Sequence, residues 1–222
     1  MSYTYIPIPE DHGQYIQERS FIISADLGQA FDYTAISVIE RVITGRGYRG
    51  YRGTGERMFY LRHIERMRGM EYPAIVNRLK CLYVSEALKN VNKAVVIDLT
   101  GLGRPVYDIM LQAGFRRSLN AINITGGMDT SYSMGHYNVP KRELISCLQV
   151  QLQNNALRIA KGLKEANALI EELSNFQTKI SDTGKDTYNG RSGVHDDMVM
   201  SLAMGVWLGC QKRFRMGECG QM

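Results

Sequence analysis

Residues 21–28 read Phe-Ile-Ile-Ser-Ala-Asp-Leu-Gly, a short apolar run closed by a glycine. Such a run predicts a buried strand over about 20–26, with Asp26 at its C-terminal end. Asp32 follows in a tight turn, and Tyr33 to about Thr44 predicts the next strand. Arg57 to Met67 alternates enough to be a third strand, antiparallel to the second. Pro73 opens a helix to about Asn90, with Val76, Leu79, Leu82 and Val84 on its apolar side. Ala94-Val95-Val96-Ile97-Asp98 is a fourth strand that again ends in an acid. Then come a helix over about 104–113, a strand over 119–125 and a loop over 126–138. Pro140 starts a helix to about Asn154. A short strand at 156–160, a helix at 165–175, an edge strand at 176–180 and a polar loop at 181–193 follow. His195-Asp196-Asp197 enters a last helix reaching about Lys212, and Met198 to Cys210 is apolar on nearly every face. That pattern predicts burial of the whole helix, with its first turn near the sheet. Three antiparallel strands leading into parallel ones give an α/β fold, a mixed sheet with helices on both faces.

Composition narrows this little. The chain has 222 residues, enough for one large domain or two small ones, and at 44% apolar and 22% charged it is ordinary for a globular fold. The four cysteines, Cys81, Cys147, Cys210 and Cys219, form no C-x-x-C pair, so neither a disulfide framework nor a zinc site is expected. No basic-then-apolar leader begins the chain, and the longest apolar run is too short to span a bilayer.

Charge placement says more. Between Arg41 and Arg68 stand eight arginines against Glu56 and Glu65, a local excess larger than the +5 of the whole chain. Inside this stretch, residues 45–55 hold Gly45, Gly47, Gly50, Gly53 and Gly55, and Tyr-Arg-Gly occurs twice. So glycine-rich a segment cannot pack a core and reads as a long hairpin tip. Arg46, Arg49, Arg52 and Arg57, with Tyr48 and Tyr51, are candidate DNA contacts: guanidinium forks suit phosphate oxygens and tyrosines can stack on sugars or bases.

The candidate chemistry lies in three acidic stations: Asp26, Asp98 and the pair Asp196-Asp197. Each alone is ambiguous. Asp26 could cap a strand, Asp98 could serve a turn, and either member of the pair could cap a helix. Taken jointly they are more specific. If the first and fourth strands are neighbours, both acids emerge at one sheet edge, and the last helix can bring its first turn there. Clustered carboxylates repel unless cations hold them, and an oxygen-only set suits Mg²⁺ or Mn²⁺.

The set Asp26-Leu27-Gly28…Asp32, Val96-Ile97-Asp98-Leu99-Thr100-Gly101-Leu102-Gly103 and His195-Asp196-Asp197-Met198-Val199-Met200-Ser201-Leu202-Ala203 resembles the nuclease domain of the large terminase subunit of tailed bacteriophages. The resemblance covers roughly residues 20–210. It implies an RNase H-like fold and a two-metal endonuclease that cuts concatemeric double-stranded DNA during genome packaging, in the cytoplasm of a bacterial host. It implies that Asp26, Asp98 and one or both of Asp196 and Asp197 ligate two Mg²⁺ or Mn²⁺ ions, with Asp197 favoured for direct ligation. Asp196 and Asp32 would support the second ion or the water, and His195 would carry a proton nearby. It also implies a packaging ATPase domain, a small terminase subunit and a portal as partners, and no membrane. No G-x-x-x-x-G-K-[ST] occurs; Gly184-Lys185 is followed by Asp186. The chain therefore reads as the nuclease part alone: a linker-like segment over 1–18, the nuclease domain over 19–213 and a frayed tail over 214–222. Alternatives are a Holliday-junction resolvase or transposase core, an actin-like or sugar-kinase ATPase, and a DNA-binding module whose acids are structural.

Overall fold

The computed structural model describes residues 15–28, 32–46, 55–100, 103–183, 196–212 and 214–217. One eight-stranded sheet runs through them. Its strands are β1 (Tyr15–Asp26), β2 (Tyr33–Arg46), β3 (Glu56–Arg68), β4 (Asn92–Asp98), β5 (Leu119–Thr125), β6 (Ser131–Ser133), β7 (His136–Pro140) and β8 (Leu157–Ile159). Their order is β6-β7-β5-β4-β1-β2-β3-β8. β1, β2 and β3 are antiparallel neighbours, while β4 and β5 run parallel to β1. This is the mixed sheet expected from the sequence, three antiparallel strands followed by parallel ones, and it puts β1 and β4 side by side at its centre.

Helices cover both faces, again as expected. α1 (Tyr72–Tyr83) and α2 (Gly103–Gln112) pack on one side with Ile75, Leu79, Val106 and Met110. α3 (Lys141–Gln153), α4 (Ala166–Thr183) and α5 (Asp197–Cys210) pack on the other. Every residue from Met198 to Gly209 is buried. The reason is that α5 is apolar on nearly every face after Asp197, and burying each large side chain there contributes roughly 1.5–3 kcal/mol. Ser201, Gly205 and Gly209 form its closest contact with the sheet. A Cβ on Gly205 would sit 2.4 Å from Ile39 Cδ1, and one on Gly209 would sit 2.5 Å from Phe59 Cε1. Ser201 Oγ donates to the carbonyl of Ser24 at 3.0 Å and lies 2.8 Å from Ser37 Oγ. α5 is thus pinned to β1 two residues before Asp26.

Four elements depart from expectation. The β6–β7 hairpin lies mostly within residues 126–138, read as loop, and its turn places Met134 and Gly135 at φ 49° and 85°. Both central residues of that turn have positive φ, which Met rarely announces. Residues 176–180, read as an edge strand, continue α4, because Leu169, Leu173 and Phe176 keep a helical apolar stripe against the core. α1 ends at Tyr83, and the chain then makes a 3₁₀ turn at Glu86–Leu88. The start of the tail is docked rather than frayed: Gly217 bridges Lys93, and the Arg215 backbone exchanges hydrogen bonds with the Asn120 side chain at 2.8 and 2.9 Å. The short strand expected near 156–160 is present as β8, parallel to β3. β1 begins at Tyr15, and its pairing with β2 runs from Tyr15↔Arg46 to Asp26↔Ala35.

Candidate active site

Parallel pairing puts Ala25 opposite Ile97, so Asp26 and Asp98 leave adjacent strands at the same edge. Asp197 lies one helical turn before Ser201, the residue pinned to Ser24. The last helix therefore delivers its first turn to that edge. The effect is visible on Asp26. Its carboxyl is held well above the ordinary Asp value, first by burial, then by the negative charges of Asp98, Asp197 and Asp196. Lys141 opposes the rise. Asp98 is also pushed up, chiefly by burial, against a restraining hydrogen bond from the Thr100 backbone N–H to its Oδ1 at 2.7 Å. The structure thus brings together Asp26, Asp98, Asp196 and Asp197. Asp32 lies exposed just before β2 and is not among the charges acting on Asp26. His195 lies outside the described residues.

Gly28 shapes the exit from β1. A Cβ there would meet the Tyr33 carbonyl oxygen at 2.3 Å, and its N–H donates to Thr34 Oγ1 at 3.1 Å. No other residue allows the chain to fold back so closely after Asp26.

Two charged residues at this edge escaped the sequence reading. Lys141 Nζ donates to Asp196 Oδ2 at 2.8 Å. It sits in the first turn of α3, where a cation opposes the helix dipole. That misplacement was the available signal that it answers a negative charge elsewhere. Glu172 is buried on α4, bonded to Arg66 Nη1 at 2.9 Å. It also accepts from the backbone N–H groups of Met198 at 3.2 Å and Val199 at 3.4 Å. Burial pushes it up to about 7, and Asp197 adds to the rise. Its signal was an acid on the apolar stripe between Leu169 and Leu173.

The arginine-rich stretch is less free than its charge suggested. Arg62 and Arg19 both pair with Glu40, one residue before the stretch. Arg41 pairs with Glu18 and donates to the Gly209 carbonyl at 3.4 Å. Arg57 donates to the Cys210 carbonyl at 3.0 Å. Arg41 and Arg57 therefore stand at the C-terminus of α5, where cations are favoured. Arg66 and Arg68 both lie over the Tyr33 ring. Sequence counting missed this because the partners come from β1, β2, α4 and α5. Arg46 ends β2, and Tyr48, Arg49, Tyr51 and Arg52 lie outside the described residues.

The donor set can be tested against the implied metals. Among the described residues no group of three or more His, Cys, Asp or Glu side chains is already arranged to hold an ion. The chemistry nevertheless suits a hard divalent cation: the gathered donors are all carboxylate oxygens, and their mutual repulsion is felt on Asp26.

The chain is similar to a phage large terminase subunit. It is 27% identical over 190 residues to "Terminase, large subunit" of Thermus phage G20c, covering 86% of this chain and 32% of that protein. The chain thus spans about a third of the length of this relative. No family model matches the sequence. Among solved structures, the human cytomegalovirus terminase nuclease domain aligns with a TM-score of 0.49 at 10% identity, over 88% of this chain and 85% of that one. The sequence match to a large terminase subunit agrees with the resemblance read from the three acidic motifs. No described helix is long and apolar enough to cross a membrane.

Proposed function

We propose that this chain is a terminase nuclease domain, a metal-dependent endonuclease that cleaves double-stranded viral DNA during genome packaging in a bacterial cytoplasm. The observation that carries this is the gathering of Asp26, Asp98, Asp196 and Asp197 at one sheet edge with Lys141 as their counter-charge. Asp26, Asp98 and Asp197 would hold two Mg²⁺ or Mn²⁺ ions, with Asp196 beside them. Bound there, such ions supply a water of lowered pKa and neutralise charge on the leaving oxygen. The chain's own part is to hold the carboxylates together without metal. β1 and β4 fix two of them, α5 brings the pair, and Lys141 offsets one charge. Asp32 is assigned support of the second ion or of the water, and His195 the role of a proton carrier. A packaging ATPase domain, a small terminase subunit and a portal are the proposed partners. An ATPase reading would need two phosphate-binding lobes, and the sheet described here is a single one.

The test is incubation of the purified chain with supercoiled plasmid. Nicking and linearisation are expected with Mg²⁺ or Mn²⁺ and none with chelator. Added ATP is expected to change nothing, because the sequence holds no Walker-type loop. Persistent intact plasmid in Mn²⁺, or cutting that needs ATP, would reject the reading.

DNA affinity is assigned to the glycine-rich segment joining β2 and β3. Arg46, Arg49 and Arg52 replaced together by Ala should weaken binding and flatten its salt dependence. Each lost phosphate contact lowers the slope of log affinity against log salt by up to ~0.9, so a fall of about two to three is expected. An unchanged slope would place the DNA elsewhere. Little sequence preference is expected, since phosphate contacts position without specifying.

A further inference from the structure

An Asp at a helix N-cap ordinarily bonds the N–H groups of the second and third helical residues through its own side chain. α5 starts with Asp196 at that position, yet Asp196 makes no such bond. Its Oδ2 is held by Lys141 instead. The second and third residues of α5 are Met198 and Val199, and both their N–H groups point to Glu172 Oε2. A carboxylate from α4 therefore does the capping that Asp196 would do. The other oxygen of Glu172 is tied to Arg66, whose guanidinium also lies 4.6 Å from the Tyr33 ring centroid, next to Asp32.

We infer that Glu172 is a positioning residue, a cap supplied from another helix that releases Asp196 to Lys141 and to the carboxylate group at the sheet edge. This rests on the nuclease reading above. An uncapped α5 has a substitute in its own Asp196, which already stands at the N-cap position and could turn from Lys141 towards Met198 N–H and Val199 N–H. That rotation breaks the Lys141–Asp196 pair and draws one acid away from Asp26. The helix stays capped, so the fold survives while the site loses a carboxylate and its counter-charge changes place. Arg66 belongs to the same device, because it fixes the rotamer of Glu172 from β3.

The test compares the parent with Glu172→Ala and Glu172→Gln by calorimetric titration of Mn²⁺, plasmid cleavage and thermal unfolding in chelator. Groups that orient metal ligands are worth about 10–100-fold in metal affinity or activity. Glu172→Ala should weaken Mn²⁺ binding at least ~10-fold and lower kcat by a similar factor, with KM for DNA within about twofold. Glu172→Gln keeps an accepting oxygen for the two N–H groups but loses the bond to Arg66, and should recover part of both losses. A role in folding alone would lower the unfolding temperature and the active fraction while leaving the Mn²⁺ affinity of the folded protein at the parental value, and that result overturns the inference. Should the alanine variant not fold, amide hydrogen exchange on the parent decides. Protected amides at Met198 and Val199 support the cap, and amides that exchange like open ones overturn it. A parent that neither binds Mn²⁺ nor cuts DNA defeats the nuclease reading itself. A parent that does both, beside variants that match it, defeats only the role of Glu172.

Discussion

Asp26→Asn, Asp98→Asn and Asp197→Asn should each abolish plasmid cleavage and, in chelator, unfold at or above the parental temperature. The two effects have one cause. Without metal the gathered carboxylates repel, and that repulsion acts on Asp26 from Asp98, Asp197 and Asp196. Asn keeps the shape and the hydrogen bonding but removes a charge, so it relieves strain in the metal-free chain. With metal the same charge is needed for ligation. Mn²⁺ at about 100 times its dissociation constant should stabilise the parent by about 2.7 kcal/mol, a rise of roughly 5–10 °C for a chain of this size. The Asn variants should lose most of that rise and at least ~100-fold in cleavage rate, more than a residue that merely orients a ligand. Mn²⁺ should support cutting at least as well as Mg²⁺, since it tolerates looser geometry. Parental cutting by all three variants would end the two-metal reading. Poor cutting together with a much lower unfolding temperature in chelator would show the acids to be structural.

What could be read in the sequence was what local pattern encodes. β1 and β4 were legible because each is an apolar run ended by an acid, and their adjacency then fixes Asp26 beside Asp98. α5 was legible because a helix apolar on nearly every face has nowhere to go but the core. The β6–β7 hairpin was not, since Ser131-Tyr132-Ser133 has neither apolar alternation nor a turn signal between it and His136. Charges were legible as charges but not as pairs. Arg41, Arg57 and Arg66 read as a surface patch, yet they serve the two ends of α5. Lys141 and Glu172 went unread for the same reason, because each answers a group more than twenty residues away.

In chelator the chain should be more stable at pH 5.5 than at pH 8, the reverse of its order in Mn²⁺. The sign follows from proton counting. Asp26 and Asp98 are raised above their ordinary value of 3.8, and Glu172 is raised from 4.5 to about 7. Between those ordinary values and the raised ones, the folded chain holds protons that the unfolded chain has released. Stability then falls as pH climbs through that window. Glu65 acts in the opposite sense lower down. Bonds from His63 and Arg78 hold it near 2, so its contribution is present above 4.5 and is lost between 4.5 and about 2. The metal-free optimum is therefore mildly acidic. Divalent ions change the order because they compete with those same protons for Asp26 and Asp98. A higher pH leaves more of these acids free of protons and open to the ions. Thermal unfolding at the two pH values, with chelator and with Mn²⁺, gives four temperatures that check the argument. Asp26→Asn should reduce the difference between the chelator pair, because it removes one of the raised acids. An unfolding temperature in chelator that climbs steadily from pH 5.5 to 8 in the parent would mean that these carboxylates are not crowded in solution.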